Sequence, residues 1–538
     1  MGEWTIGAVL DAIADADPDR LMTICGTRRS TFGESAERTR RLANYLAGQG
    51  LGAHRERDDL ANWECGQDRV ALLMHNDLYP DMVIGSLKAR TVPVNVNYNY
   101  APREVAELLD YLQPRAVIYH RSFGPTFADV LPPAAADLMI AVDDDSSVPL
   151  LPGAISLEDA LAQGDTDCYI ATSPDDVMMV CTGGTTGRPK GVMWRQSDTY
   201  VVSMNGADHD SVDEIHAKLG FEGQPWFAVS PLMHAAGMWT AFAGLLNGLP
   251  IVLYDKTRFD PSAVLQTAER EKVGMMTMVG DAYAGPLVEE LRSGSYDLSS
   301  MYAIGTGGAA TNPKHQQALL ELLPQITLIN GYGSSETGNV GFGRSQHGDQ
   351  QDTFVLREGA LVLSEDYGRF LAPGEQEVGF VARAGRIPLG YFDDEAATRK
   401  TFPVVEGQRV VISGDRGCLD PDGTLQLFGR DSLVVNTGGE KVFVEEVEEV
   451  LRACAGVADA LVVGRPSERW GEELVALVAL QPDADVTPDQ LHRQCTSHLA
   501  RFKAPKEFII VDQVQRLGNG KADYRWAKAT AVQEASLT

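Results

Sequence analysis

The 538-residue chain is short of positive charge: Lys and Arg total 46 against 75 Asp and Glu, a formal charge of −29 at pH 7. A surface that acidic repels phosphate backbones and anionic lipid, which excludes nucleic-acid binding and polybasic membrane attachment. The chain lacks the uninterrupted apolar run of about 18 residues that a transmembrane helix needs. Its N-terminus, MGEWTI, has no signal-type apolar core, and Ile6 stands where a myristoylation signal needs Ser or Thr. Paired cysteine is missing too. Seven cysteines lie scattered with no CxxC pair, which suits free thiols in a reducing cytoplasm rather than a disulfide scaffold. No internal repeat and no long low-complexity tract occurs.

What is present is an ordinary globular composition, 44% hydrophobic and 22% charged, which rules out a wholly disordered chain. At about 150 residues per domain the length predicts two to four folded units. Strand-like and helix-like stretches alternate, for example at 251–254, 261–272, 313–323 and 326–330. That alternation predicts α/β layers with helices on both sheet faces. The charge-rich stretch 55–66, between a helix at 41–49 and a strand at 69–73, reads as a surface loop. A Gly/Asp-rich run ends near Gly429, after which a compact α+β pattern restarts. The expected division is a large N-terminal unit, 1–428, and a small C-terminal unit, 429–538.

Five segments could carry chemistry. The run CTGGTTGRPKG at 181–191 follows an apolar strand and holds four glycines, three threonines and Lys190. Glycines let a backbone wrap closely and expose N–H donors, while hydroxyls and an ammonium add to them, as a polyphosphate cradle requires. It is not a Walker loop, because Gly187 is followed by Arg-Pro. A flexible hairpin is the plainer reading. The run GTGGAA at 305–310 fits a loose dinucleotide pattern, but no acid follows at 323–333. A glycine wall beside a flat ring suits it better. The run NGYGSSETG at 330–338 offers Tyr332 for base stacking and Ser335 and Glu336 as hard oxygen ligands, or is simply a polar turn. In SGDRG at 413–417, followed by Gly429-Arg430, Asp415 can accept from a ribose diol and Arg430 can donate to sugar or phosphate; a plain turn and a surface Arg are the alternative. LGNGK at 517–521, near the end of the sequence, places one Lys in a glycine-rich run, as an exposed turn or a cation delivered to an anionic site.

In order and spacing these segments resemble the adenylate-forming superfamily of acyl-CoA synthetases, adenylation domains and luciferases. Residues 182–191 match the family loop T-[SG]-G-T-T-G-x-P-K-G. PLMH at 231–234, GGE at 438–440 and the segments above follow in the family order, spanning about 177–521. The variants VMWR at 192–195, VNTGGEK at 435–441 and NGKADYR at 519–525 are most like bacterial fatty-acyl and steroid side-chain CoA ligases. The implied fold is a large multi-subdomain adenylation domain plus a small mobile α+β domain. The implied reaction joins a carboxylic acid, expected to be a medium- or long-chain fatty acid, to MgATP as acyl-AMP with release of pyrophosphate. CoA then displaces AMP. Both reactants of the first step are anions, so cations and fixed dipoles carry most of the catalysis.

The resemblance implies site roles residue by residue. Thr182, Gly183, Gly184, Thr185, Thr186, Gly187 and Lys190 would cradle phosphate. Thr182 and Glu336 would hold Mg²⁺. Tyr332 would stack adenine, with Gly307, Gly308 and Ala309 alongside and Asn330, Gly331, Gly333, Ser334 and Ser335 completing that wall. Asp415 and Arg430 would bind ribose. Lys521 would bridge carboxylate and α-phosphate, then leave as the C-terminal unit turns and brings Gly438, Gly439 and Glu440 to the CoA side. The family hinge position, usually Asp or Lys, holds Ser432 here. A small polar residue can still absorb the backbone change. His234, Met238 and Trp239, with Val279 and Gly280 opposite, would line the acyl pocket; a lone His is equally a satisfied core residue.

Several alternatives remain at this level: a steroid side-chain acid as substrate, a carrier protein in place of CoA, or a catalytically silent nucleotide-binding relative. A homodimer is common in the family. Locally the charge reverses sign. Residues 181–197 carry Arg188, Lys190 and Arg195 with no acid, so cationic patches are expected where the chain meets phosphate.

Overall fold

The computed structural model describes residues 2–131, 138–166, 168–183, 189–220, 223–309, 311–349, 353–430, 433–437, 440–467, 471–499, 501–517 and 521–535. Among these residues the strands form three sheets, of fourteen, eight and five strands. One half of the largest sheet is parallel. Leu21–Cys25, Ile251–Leu253, Trp226–Ala228, Met275–Met278, Ala303–Gly307 and Thr327–Ser334 lie side by side in that order. The other half turns antiparallel, through Gly338–Ser345, Thr353–Leu356, Leu425–Arg430, Gln408–Leu419, Gly379–Ala384 and Ala360–Leu363. The eight-stranded sheet is parallel from Ile155–Ser156 to Val177–Gly183, then turns antiparallel through the hairpin partner Pro189–Arg195 to the edge strand Gly390–Tyr391.

Parallel strands are buried on both faces, so they read as continuous apolar runs, as Arg69–Leu73 does. Helices Ile6–Ala16, Phe32–Gly48, Tyr79–Lys88 and Ala235–Leu245 fill the largest core cluster, together with residues from both large sheets. Pro261–Arg270, Asp281–Ser293 and Pro313–Leu322 pack in a second cluster against the parallel half of the largest sheet. The expected helix-covered layers are therefore present. Local chemistry starts these helices where the sequence places them. Thr31 and Glu34 form a reciprocal capping box before Phe32, worth about 1 kcal/mol.

The expected elements are found with ends displaced. The predicted strand 326–330 runs Thr327–Ser334, and the predicted helix 261–272 stops at Arg270. The stretch 55–66 is a loop with one short 3₁₀ turn, Arg57–Asp59.

The third sheet, built from Val434–Thr437, Glu440–Phe443, Val457–Ser467, Gly471–Leu480 and Glu507–Val511, makes the C-terminal α+β unit. Helices Val444–Arg452, Pro488–His498 and Tyr524–Ala535 accompany it around its own two core clusters. It touches the rest of the chain through few contacts. The Lys314 ammonium donates to the Cys454 carbonyl at 2.9 Å, and the rings of Phe428 and Phe443 lie 5.8 Å apart. Gly429, at φ +114°, lies so near Glu445 that an added Cβ would stand 2.4 Å from its carboxylate.

Candidate active site

In an open parallel sheet the loops leaving the carboxyl ends of the strands share one edge, and ligands bind there. Four adjacent strands of the largest sheet deliver candidate residues to that edge. After Trp226–Ala228 comes His234. After Met275–Met278 come Val279 and Gly280, after Ala303–Gly307 comes Gly308, and Tyr332 lies near the end of Thr327–Ser334. Gly307 and Gly331 are register partners. Gly308, at φ +78°, is placed so that a Cβ would stand 3.6 Å from Ala236 and 3.7 Å from Val279. The left-handed backbone there favours glycine, while the space beside it would admit a Cβ in ordinary contact.

Tyr332 meets the ribose candidates directly. Its hydroxyl donates to Oδ2 of Asp415 at 2.8 Å. Asp415 is buried and is the register partner of Arg430 across two antiparallel strands. Only the backbone of Arg430 is described. Asn330 reaches Gln316 at 3.4 Å, and Ser334 closes a turn in which its backbone N–H is held by Thr337 at 2.9 Å.

The hairpin of Val177–Gly183 and Pro189–Arg195 pairs Thr182 with Lys190 and Gly183 with Pro189. Gly184, Thr185, Thr186 and Gly187 lie outside the described residues, as do Ser432, Gly438 and Gly439; Thr182, Gly183 and Glu440 enter as backbone only. Trp194, on the same hairpin, donates from Nε1 to the Ser335 carbonyl at 2.9 Å and so ties the strand Pro189–Arg195 to the Glu336 turn. The Lys190 ammonium is half-exposed, 3.0 Å from Oδ2 of Asp394 and 5.0 Å from the centre of the Tyr391 ring. The Tyr391 hydroxyl donates to Oε1 of Glu336 at 3.0 Å. Among the described residues Tyr391 is the hydrogen-bond partner of that carboxylate. A carboxylate held on one side by a phenol is a hard oxygen donor suited to Mg²⁺, which is usually bound by one or two carboxylates together with substrate phosphates.

Four residues of this network carry no motif that marks them in advance. Asn95 closes Val92–Asn95, accepts from the Cys181 N–H at 2.8 Å and donates to the Met233 carbonyl at 2.7 Å. It joins the phosphate hairpin to the segment before His234. The Tyr111 hydroxyl donates to the Phe392 carbonyl at 2.6 Å and receives the Gly191 N–H at 3.3 Å. Tyr391 and Asp394 are the other two. Their one trace in the sequence is an aromatic–acid run directly after Gly390.

His234 caps the helix Ala235–Leu245 and is partly buried. Burial first, and then the positive charge of Lys521, lower its pKa to about 4, so the imidazole is neutral at pH 7. Lys521 is exposed, and its charge nevertheless reaches the His234 pocket. The C-terminal unit thus brings a positive charge within electrostatic reach of His234. Gly280, at φ +56°, caps the helix Asp281–Ser293. Burial alone would raise the Asp281 pKa, but hydrogen bonds from His315 and the Asn312 N–H, each 2.8 Å, hold it below the usual range. Met238 and Trp239 pack into the largest core cluster, and among the described residues the Trp239 indole N–H finds no partner.

The expected cationic patch at 181–197 is corrected by the fold. Arg195 is engaged by Glu3, Asp175 and Asp198, at 2.5, 2.5 and 3.3 Å. Lys190 alone of the described cations in that window faces the Glu336 turn, and it is paired with Asp394. Acids distant in sequence neutralise what a local count leaves positive.

Residues 10–379 match the family described as AMP-binding enzyme, and 446–521 match the AMP-binding enzyme C-terminal domain. The chain is 41% identical over 541 residues to the medium-chain acyl-CoA ligase Mig of Mycobacterium avium, covering 98% of each protein. It is 35% identical to a 3-oxocholest-4-en-26-oate–CoA ligase of Rhodococcus rhodochrous, covering 97% of this chain and 95% of that one. In fold it is similar to ATP-bound MatB of Rhodopseudomonas palustris, with a TM-score of 0.79 at 21% identity over 97% of this chain and 98% of that one. With an anthranilate–CoA ligase the TM-score is 0.80 at 21% identity, covering all of this chain and 98% of the other. Among the described residues no helix is long and apolar enough to cross a membrane. The chain belongs to the AMP-binding enzymes of the adenylate-forming superfamily and is a ligase of the acyl-CoA synthetase type.

Proposed function

We propose that this enzyme activates a medium-chain fatty acid with MgATP and transfers the acyl group to CoA, using the site above. The observation that carries the assignment is that the Glu336 turn, just after Tyr332, joins the Tyr332–Asp415 contact of the largest sheet to the Lys190–Tyr391 cluster of the eight-stranded sheet, while the charge of Lys521 reaches His234. Each does one part of the work. Tyr332 offers a ring face to adenine, while Asp415 and Arg430 take the ribose. Lys190 and the 182–187 loop take the β- and γ-phosphates. Glu336, with Thr182, would hold Mg²⁺, which when bound neutralises phosphate charge.

The first step brings together two anions, a carboxylate oxygen and the α-phosphorus. The new C–O–P linkage forms as the bond to pyrophosphate breaks, and the leaving group carries off the electron pair. In this reading the Lys521 ammonium meets both charges, and its influence on His234 supports that role. A neutral His234 beside the carboxylate adds no competing cation and does not form a salt bridge that would hold the acid in its ground state. The reading divides the chain at 428/429 and assigns Ser432 to the hinge. Rotation there would withdraw Lys521 and bring Gly438, Gly439 and Glu440 to the thiol side.

The medium-chain assignment is supported by the 41% identity to a medium-chain ligase over the whole chain. A steroid side-chain acid is the second reading, favoured by the 35% relative and by the bare Gly280 at the pocket wall. CoA-thioester formation measured with fatty acids of graded length and with steroid side-chain acids decides between them. A maximum at medium length is expected. A preference for the steroid acids overturns the assignment, and a product formed only on a carrier protein overturns the CoA step.

A further inference from the structure

The lysine hairpin of the C-terminal unit is tied down on both limbs by a buried charge cluster. Its base is closed by backbone: Arg516 bridges Ala522, the Leu517 N–H donates to the Lys521 carbonyl at 2.8 Å, and the Asp523 N–H to the Gln515 carbonyl at 3.2 Å. On the leading limb Arg516 donates from Nη2 and Nε to Oδ2 of Asp459, at 2.6 and 3.0 Å. On the trailing limb the Tyr524 hydroxyl lies 3.0 and 3.1 Å from the two carboxylate oxygens of Glu448. Glu448 is 2% exposed and also accepts the Val462 N–H at 2.8 Å. Arg452 joins the two anchors, 3.4 Å from Glu448 and 3.9 Å from Asp459.

We propose that Tyr524 and Arg516 are positioning residues for adenylation, each fixing one limb of the hairpin so that Lys521 is presented at a set distance from the acyl pocket. The inference rests on the role given to Lys521 above. Its physical basis is entropic. A lysine ammonium rides on a flexible four-carbon stem, so placing it repeatedly at one point requires a fixed backbone origin. Hydrogen bonds to carboxylates are stronger than neutral ones, and a buried polar group left without its partner is costly. Burial raises the Glu448 pKa to about 7, so near neutral pH the trailing-limb bond is shared between the ionised and neutral forms of that carboxyl. Packing alone does not account for the phenol. Tyr524 lies against both C-terminal core clusters, where phenylalanine would fill the same space. Burial, and then the nearby Glu448 charge, raise the Tyr524 pKa, so the hydroxyl remains a donor at working pH. The cluster also faces the partner domain. Arg452 contributes to holding Asp281, at the head of Asp281–Ser293, in its charged form. Arg452 thus acts electrostatically on both the hairpin anchors and Asp281.

The test separates the two half-reactions in the full-length enzyme. Tyr524→Phe is expected to slow acyl-AMP formation about tenfold in kcat, from loss of the hydrogen bond to the buried Glu448 carboxyl. Thioester formation from preformed acyl-AMP should stay within about twofold of wild type. The His234 pKa, read by NMR, should rise part of the way to its value in Lys521→Ala, because a loosened hairpin leaves the ammonium farther from the imidazole. If Tyr524→Phe is poorly folded, Arg516→Gln on the other limb must show the same split. Equal slowing of both half-reactions, or no slowing of either beside a Lys521→Ala control that has lost adenylation, overturns the positioning role. If Lys521→Ala itself retains acyl-AMP formation, the role of Lys521 falls and this inference falls with it.

Discussion

The Tyr332 hydroxyl donates to Asp415 at 2.8 Å although the two residues are 83 positions apart. The bond spans the place where the largest sheet changes from parallel to antiparallel. Tyr332 lies near the end of the last parallel strand, Thr327–Ser334, and Asp415 belongs to the antiparallel half. One contact therefore fixes the ring expected to meet adenine relative to the carboxylate expected to meet ribose, before any nucleotide arrives.

Removing the carboxylate with Asp415→Ala should raise the KM for ATP by about 10- to 100-fold, the range for lost hydrogen bonds to a charged group. Tyr332→Phe keeps the stacking face and loses only the tether, so about a fivefold rise is expected. Both are read in pyrophosphate release under initial-rate conditions. An unchanged KM in Asp415→Ala would remove the ribose role.

Glu336 is held by Tyr391, which lies beside Lys190. Glu336→Ala should therefore raise the Mg²⁺ concentration needed for half-maximal pyrophosphate release and lower the rate by about 100-fold at limiting metal. Tyr391→Phe should show a weaker form of the same shift, about threefold to tenfold, because the carboxylate remains but loses its tether. Identical Mg²⁺ titrations for wild type and Glu336→Ala would contradict the metal role.

Much of this site was legible in the residues, and the parts that were not share a cause. Glycine-rich turns after apolar strands announce themselves, because few other sequences tolerate the backbone at Gly308 or Gly280. The helix-covered parallel sheet follows from apolar runs such as Arg69–Leu73. Asn95, Tyr111 and Asp394 are different. Each is a single polar residue whose partner lies far along the chain, and single residues carry no periodicity. The local charge of 181–197 misled for the same reason: Glu3, Asp175 and Asp198 come to Arg195 only through folding. Strand and helix ends shifted by a few residues because tertiary pairing, not propensity, decides where a ladder stops.

Gly338 opens the strand Gly338–Ser345 at φ +62°, and an added Cβ would fall 2.4 Å from Val202 and 3.3 Å from the Trp194 ring. Trp194 is the residue that docks the phosphate hairpin on the Glu336 turn. Gly338→Ala meets both backbone strain and a clash in a packed interior. It should cost about 2–4 kcal/mol, visible as a fall of several degrees in Tm. Activity should fall along with it, since the Glu336 turn must shift. A wild-type Tm would mean that the strand relaxes away from Trp194 without strain.

The Lys521–His234 coupling yields a prediction with a definite sign. The folded pKa of His234 is lowered to about 4 from an ordinary 6.5. The unfolded chain therefore takes up this proton first, and the contribution of His234 to stability is complete above pH 6.5 and lost as pH falls from 6.5 towards 4. His234→Gln should flatten that part of the stability curve in denaturant titrations at successive pH values. In the native enzyme acyl-AMP formation should show no limb near pH 6.5 arising from this residue, because the imidazole is already neutral there. Lys521→Ala removes the second cause of the shift but not the first, so the His234 pKa should rise only in part and stay below 6.5. A histidine titrating normally in the wild type would mean that the pocket is open to water. A His234 pKa unmoved by Lys521→Ala would mean that the lysine is not held over the acyl site, and the adenylation role of the C-terminal hairpin would lose its structural support.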